Sequence, residues 1–345
     1  MIRWRVPLLL LVGLLLFTAV CDAQTSETDE RLRRFLERFP DSDADGDGVL
    51  TIEEAREFQR ARRRLGAVEA PPPDHADVVY GPHERNVLDL WIASGEAPRP
   101  FAVFIHGGGW TSGDKSGINR HDLTGLLEAG ISVAAINYRH STQAPYPAPM
   151  IDAGRAIQFL RYRADEYDID PTRAGAWGGS AGAATSMWLA FHEDLADPEA
   201  DDPVLRESTR LTAIAPHAGP TRFYPEPEEE HLGPTVTRHP VLVNLFGVND
   251  PADLDTAEVR EQMIEASPIT HLTADDPPAW LSYNLPLEPI DDTTSPEDVG
   301  HHPLHGVLLK QKMDELGIEC VLIYPGHNED PYGGRVGFLS AKLLP

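Results

Sequence analysis

Between residues 100 and 325 the chain repeats one pattern: a short apolar run, a polar or glycine-rich break, then a longer mixed stretch. The runs are FAVFIH (101–106), ISVAAIN (131–137), RAGAW (173–177), VLVNLFG (241–247), AWLSYN (279–284) and ECVLIY (319–324). They are short, continuously apolar and rich in β-branched and aromatic residues, so they read as strands buried on both faces. Pro149–Glu166, Ala181–His192 and Leu304–Leu316 read as helices between them. This alternation predicts an α/β fold with a mostly parallel central sheet and helices on both faces.

The pattern ahead of residue 70 is different. In ERLRRFLERFP (30–40), Leu32, Phe35, Leu36 and Phe39 recur at helical spacing among charges, and Pro40 ends the helix. DADGDGVLTIEE (43–54) follows, and AREFQRARRRL (55–65) is again helical. Four clustered carboxylates repel one another unless a cation sits among them. A hard cation wants six to eight oxygens in a loose cage.

The loop resembles the calcium loop of the EF-hand family. That resemblance implies oxygen ligands from Asp43, Asp45 and Asp47, the Val49 carbonyl, Thr51 directly or through water, and both oxygens of Glu54. Gly48 would permit the sharp turn and Leu50 would plug a small core. Ca2+ is thus expected in a structural role. Only one such hand is evident, so it is expected to pack on the larger domain or on a partner. EAPPPDHA (69–76) reads as a Pro-rich linker. The expected division is a signal peptide at 1–23, the EF-hand module at 24–68, the linker, and the larger domain at 77–345.

Residues 1–23 combine Arg3 and Arg5, a short apolar core at Leu8–Val20 and the small Ala23. Thirteen apolar residues fall short of the ~20 that a spanning helix needs, so the segment reads as an export signal rather than a membrane span. Val20 before Cys21 argues against a lipoprotein anchor. With Cys21 removed, Cys320 is the only thiol and no internal disulfide is expected. The formal net charge of −26 repels phosphate backbones and argues against nucleic-acid partners.

The chemistry concentrates in two glycine-rich breaks. GGSAG (178–182) lies between the RAGAW strand and a helix, and places Ser180 in a turn whose flanking positions must be small. The helix that follows aims its free N–H groups at the site. HGGGW (106–110) bares the backbone after an earlier strand. The amides of Gly108, Gly109 and Ala181 could then form an oxyanion hole, with His106 organising the loop.

These motifs, with NYRHSTQAPYPAPMIDAGRAIQFLR (137–161) and DIDPTRAGAWGGSAG (168–182), resemble the α/β-hydrolase family. The likeness is to the hormone-sensitive-lipase-like and bacterial feruloyl-esterase-like esterases, over about residues 85 to 327. It implies an α/β-hydrolase fold and a Ser180 nucleophile, followed in the chain by an acid and then a histidine. His327, in YPGHNED after the last strand, is the expected base, with His301, His302 and His305 as competitors. For the acid, counting back from the Leu304 helix reaches Asp298, ranked first. Counting forward from AWLSYN reaches Glu288, ranked second, with Asp291 and Asp292 between them. Tyr146, Phe223 and Tyr224 are candidates to line an acyl or aryl pocket.

The resulting expectation is an exported serine ester hydrolase for small-molecule or carbohydrate esters, feruloyl esters included, with no catalytic cofactor. Two rivals are a degenerate hydrolase acting as a calcium-binding scaffold and a dipeptidyl-type peptidase.

Overall fold

The computed structural model describes residues 25–29, 32–33, 35–36, 39–65, 70–224, 239–291 and 293–345. The expected signal segment, Asp292 and residues 225–238 lie outside the described residues. The chain divides into two compact units at residues 69 and 70. Part of the expected linker belongs to the larger unit: Pro71 accepts a hydrogen bond from the Trp91 indole at 2.7 Å, and Asp74 accepts one from the Ile92 amide at 2.7 Å.

In the smaller unit a single 3-10 turn, Pro40–Ser42, leads into the acidic loop, and helix α1 (Ile52–Leu65) follows it. Leu50 is fully buried and forms a small core with Leu32 and Ala55, backed by Phe35, Leu36 and Ile52. Its backbone is paired within the chain: Ser26 donates its N–H to Leu50 O at 2.8 Å, and Ser26 Oγ accepts the Leu50 N–H at 2.8 Å.

The larger unit is built on an eight-stranded sheet: β1 (His75–Val79), β2 (Val87–Trp91), β3 (Arg99–Ile105), β4 (Ser132–Ile136), β5 (Ile169–Gly178), β6 (Ala213–Ile214), β7 (Ala279–Ser282) and β8 (Cys320–Ile323). The spatial order is β1-β2-β4-β3-β5-β6-β7-β8. β1–β2 and β2–β4 pair antiparallel and every other pair is parallel. Side-chain alternation sorts the sheet into two cores. Phe101, Val103 and Ile105 of β3 pack with Met150, Ala153 and Ile157 of helix α2 (Ala148–Tyr162) and Met187 of helix α3 (Ala181–Phe191). Ala102 and Phe104 face Leu123, Leu126, Phe338 and Leu339 on the other side. Strands buried on both faces explain why their sequences are apolar without a break.

VLVNLFG is not a strand. Val241–Leu245 is a helical turn, α4. An apolar run this short fits either element. Here Pro240, already in the αR region, opens the turn, and Gly247 at φ +66° closes it. Leu242 and Leu245, three apart, are the residues it buries. The strand that fills the sheet at this point is the two-residue β6, and β1 and β2 add an antiparallel edge that the apolar runs do not announce. Cys320 is a buried free thiol on β8, and burial pushes its pKa up to about 12. Among the described residues no helix is long and apolar enough to cross a membrane.

Candidate active site

Ser180 stands between β5 and α3 with φ 54° and ψ −119°, outside the regions an L-residue prefers. The surroundings enforce that bend. A Cβ on Gly178 or Gly182 would press into the Ile105 carbonyl oxygen, so both positions must be glycine for β5, β3 and α3 to meet. The Ser180 N–H is held by His217 O at 2.9 Å. The backbone strain is thus over-determined by packing, which is the condition under which such strain persists.

The hydroxyl has an imidazole partner, and it is not the expected one. His301 Nε2 lies 2.7 Å from Ser180 Oγ. Behind it, Glu297 Oε1 lies 3.2 Å from His301 Nδ1, in ion-pair range. Both come from the segment after β7, where Pro296–Gly300 forms a short helix, α5, and His301 caps its end. The spacing of four residues sets Glu297 and His301 on one face.

His327 is elsewhere. It closes a tight turn with Tyr324, its N–H donating to Tyr324 O at 2.8 Å, and its ring stacks on Tyr324 at 5.1 Å. It borders a surface depression with Lys310 and Asp314. The chain therefore sends the loop after β8 to the wrong place for a base, and His301 takes the position beside Ser180.

The two ranked acids are placed apart from His301 as well. Asp298 is engaged with the helix start: Ser295 Oγ accepts its N–H at 3.0 Å and donates to Asp298 Oδ2 at 2.8 Å. That reciprocal pair is a capping arrangement, and it ties the Asp298 carboxylate to Ser295 at the start of the helix. Glu288 sits exposed in the loop before α5 and Asp291 accepts the amide and hydroxyl of Thr293. Of the competing histidines, His302 accepts the Leu304 N–H at 3.2 Å and is buried. His305 is fully buried and accepts the Thr221 N–H at 3.2 Å. Burial holds the His305 pKa down at about 3, so it stays neutral. The readable signal for the carboxylate beside His301 was Ser295-Pro296 opening a helix, with glutamate and histidine four residues apart.

The glycine loop is arranged by its carbonyls. His106 Nδ1 donates to Gly107 O at 2.8 Å, and Arg85 Nη2 reaches His106 Nε2 at 3.4 Å. Burial first, with Arg85 adding to it, lowers the His106 pKa to about 4. A neutral ring donating through Nδ1 organises the loop and is no base. The Gly108 carbonyl accepts the Thr111 and Ser112 amides, each at 3.1 Å. In a trans peptide a carbonyl turned one way aims the next N–H the other way. The Gly108 and Gly109 amides therefore point away from these partners. Both glycines and Ala181 line the cavity into which Ser180 opens. Gly108 (φ +101°) and Gly109 (φ +59°) hold conformations that side chains resist.

That cavity encloses about 600 Å3, with Trp110, Phe223, Val241 and Leu242 as apolar walls and His301 and Glu297 at one side. Of the expected pocket aromatics only Phe223 lines it. Tyr146 packs against Trp188 and Phe246, and Tyr224 lies beside Arg222.

In the smaller unit, Asp43, Asp45 and Glu54 bring carboxylate oxygens within 4.8 Å of one another. Asp43 also accepts the Gly46 and Gly48 amides, each at 2.8 Å. Asp47 is not part of that group: its Oδ1 accepts the Val49 N–H at 2.7 Å. Glu54 accepts the Thr51 N–H at 2.9 Å and hydroxyl at 2.7 Å, and these bonds lower its pKa. The Asp47 amide bond lowers the Asp45 pKa, but desolvation and repulsion from Asp47 and Glu54 outweigh it and leave the carboxyl raised.

Sheet order, elbow and glycine loop together define an α/β-hydrolase. Residues 88–283, more than half of the chain, match the family model described as BD-FAE, and the chain belongs to that family. It is 33% identical over 213 residues to the probable carboxylic ester hydrolase LipM of Mycobacterium tuberculosis, covering 60% of this chain and 46% of that protein. It is 32% identical over 181 residues to esterase LipQ of the same organism, covering 47% and 41%. The chain thus spans less than half the length of these curated relatives. Solved structures agree in fold: a truncated carbohydrate esterase from gut microbiota (TM-score 0.58, 22% identity, 75% of this chain and 89% of that one) and the acetyl ester-xyloside bifunctional hydrolase of Caldicellulosiruptor lactoaceticus (TM-score 0.57, 22% identity, 80% and 93%).

Proposed function

We propose that this chain is a serine ester hydrolase in which Ser180, His301 and Glu297 act as nucleophile, base and orienting acid. The observation that carries the reading is the 2.7 Å contact between Ser180 Oγ and His301 Nε2 on a strained elbow. His301 takes the serine proton as Oγ attacks the ester carbonyl, then returns it to the departing alcohol; water repeats the cycle on the acyl-enzyme. The developing oxyanion sits on the amides of Gly108, Gly109 and Ala181, aided by the N-terminus of α3. An apolar cavity of this size suits a short acyl or an aryl group. The names of the carbohydrate esterase and the acetyl ester-xyloside hydrolase support carbohydrate esters as the substrate class; feruloyl esters enter only through the family resemblance. Against the scaffold rival stands the contact between His301 Nε2 and Ser180 Oγ.

The test is Ser180→Ala. The variant should lose p-nitrophenyl acetate turnover and fluorophosphonate labelling while keeping the wild-type melting curve. Equal hydrolysis by both proteins would end this reading.

The acidic loop is proposed to hold Ca2+. The donor set fits: only hard oxygens converge, on a loop whose Gly46 and Gly48 adopt φ +73° and +84°. Asp43, Asp45 and Glu54 would supply carboxylates, with Asp47, Val49 O and Thr51 as the further oxygens of the loop, and the ion's role would be structural. Export through residues 1–23 is part of the same proposal, and a mature N-terminus at Gln24 is what it requires.

A further inference from the structure

We infer that His239 is a positioning residue that fixes the Glu297 carboxylate for His301. The inference deepens the ester-hydrolase reading and rests on it. Glu297 is an awkward orienting acid. Its side chain is 67% exposed, it has three rotatable bonds, and it rides on a helix of five residues whose cap engages Asp298 instead. An exposed carboxylate free to rotate would hold an imidazole poorly, because water competes for it and weakens its field.

His239 supplies the missing constraint from another part of the cavity wall. Its Nδ1 accepts the Val241 N–H at 3.2 Å, so the ring proton of the neutral form resides on Nε2. That N–H donates to Glu297 Oε2 at 2.8 Å. The other oxygen, Oε1, faces His301 Nδ1 at 3.2 Å. Each carboxylate oxygen is therefore assigned to one imidazole, and the chain His239–Glu297–His301–Ser180 runs without a gap. Pro240 and helix α4 hold His239 in turn, since the Val241 amide that fixes its tautomer opens that helix. The ring hydrogen-bonds Glu297, and Glu297 in turn faces His301, so the effect of His239 on the base passes through Glu297.

His239 also lines the cavity, so a substrate contact is the competing role, and kinetics separate the two. Full-length wild type, His239→Leu, His239→Gln, Glu297→Gln and the double variant His239→Leu/Glu297→Gln are assayed on p-nitrophenyl acetate, with fluorophosphonate labelling of Ser180 in parallel. His239→Leu should lower kcat about tenfold or more with KM within about twofold, since a small loss of alignment is costly. His239→Gln, whose amide can still donate to Glu297, should recover most of that loss. In the Glu297→Gln background the His239→Leu change should add little, because the two act as one unit.

Three results overturn the inference alone: an unchanged kcat in His239→Leu, a rise confined to KM, or the same loss with and without Glu297. A wild type that neither hydrolyses the ester nor labels at Ser180 overturns the underlying reading instead. If His239→Leu does not fold, His239→Asn replaces it, since its shorter amide cannot reach the carboxylate. Equal kcat in the Asn and Gln variants would then refute the role.

Discussion

At Ser180 the decisive quantity is distance, and it separates two histidines that both follow late strands. His301 is 2.7 Å from the hydroxyl, whereas His327 is bound to its own turn. His301→Ala should therefore cut kcat/KM by at least about 10^3, the scale of losing a general base. His327→Ala should stay within about twofold of wild type. The reverse ranking in a kcat/KM comparison would return the base to the loop after β8. The elbow and glycine loop were legible in the sequence because local sterics dictate them: GGSAG and HGGGW need small residues whatever the rest of the chain does. The histidine and carboxylate beside Ser180 were not legible in the same way. A loop of some twenty residues after β7 can carry its histidine to the site or leave that to the loop after β8, and only tertiary structure chooses. Asp298 looked like the acid by position, but Ser295 takes it for the cap and leaves Glu297 facing the imidazole.

Among the elements, strands buried on both faces announced themselves, while those fixed by long-range pairing did not. β3, β4 and the second half of β5 (Ala174–Gly178) are buried apolar runs, but β6 is two residues long and cannot show a period. Val241–Leu245 was misread because five apolar-rich residues suit either element, and the Pro240 and Gly247 boundary signals decide. The β5–α3 elbow yields a prediction at this scale. Gly182→Ala places a methyl against the Ile105 and His106 carbonyls, which cannot move without parting β3 from α3. The variant should lose several kcal/mol of stability, as overpacked core positions do, and its activity with it. Wild-type melting and turnover would show that the elbow has slack. The acidic loop gives another. Titrating Ca2+ into the full chain should release or absorb heat with one site per chain, and Glu54→Gln should abolish the signal. Because Ser26 already pairs the Leu50 backbone, this binding should not require a second hand or chain dimerisation. A stoichiometry of one ion per two chains would contradict that.

For the whole molecule, acid is the condition to which two design features respond with opposite sign. The charge of −26 repels itself at neutral pH, so protonating surface carboxylates relieves strain as pH falls. That repulsion acts between exposed groups and is screened at 0.15 M salt, where the Debye length is about 8 Å. The buried imidazoles act the other way and are not screened. His106 and His305 titrate at about 4 and about 3 when folded, against 6.5 in an unperturbed side chain. Between pH 6.5 and 4 the unfolded chain therefore binds protons that the folded chain refuses. Stability is full above 6.5 and falls as pH drops toward 4, by up to ~1.4 kcal/mol per pH unit for each ring. Asp114, held at about 2 by amide and side-chain hydrogen bonds that outweigh its desolvation, extends the loss below pH 4. At 0.15 M salt the buried groups should win. The urea midpoint should fall between pH 6.5 and 4.5, and His305→Gln should make that fall shallower, because one proton-refusing ring is gone. NMR should show the Cε1–H signals of His106 and His305 untitrated down to pH 5. A midpoint that holds steady across that range, or rises, would mean that surface repulsion dominates and the two imidazoles are not sealed from water as this packing requires.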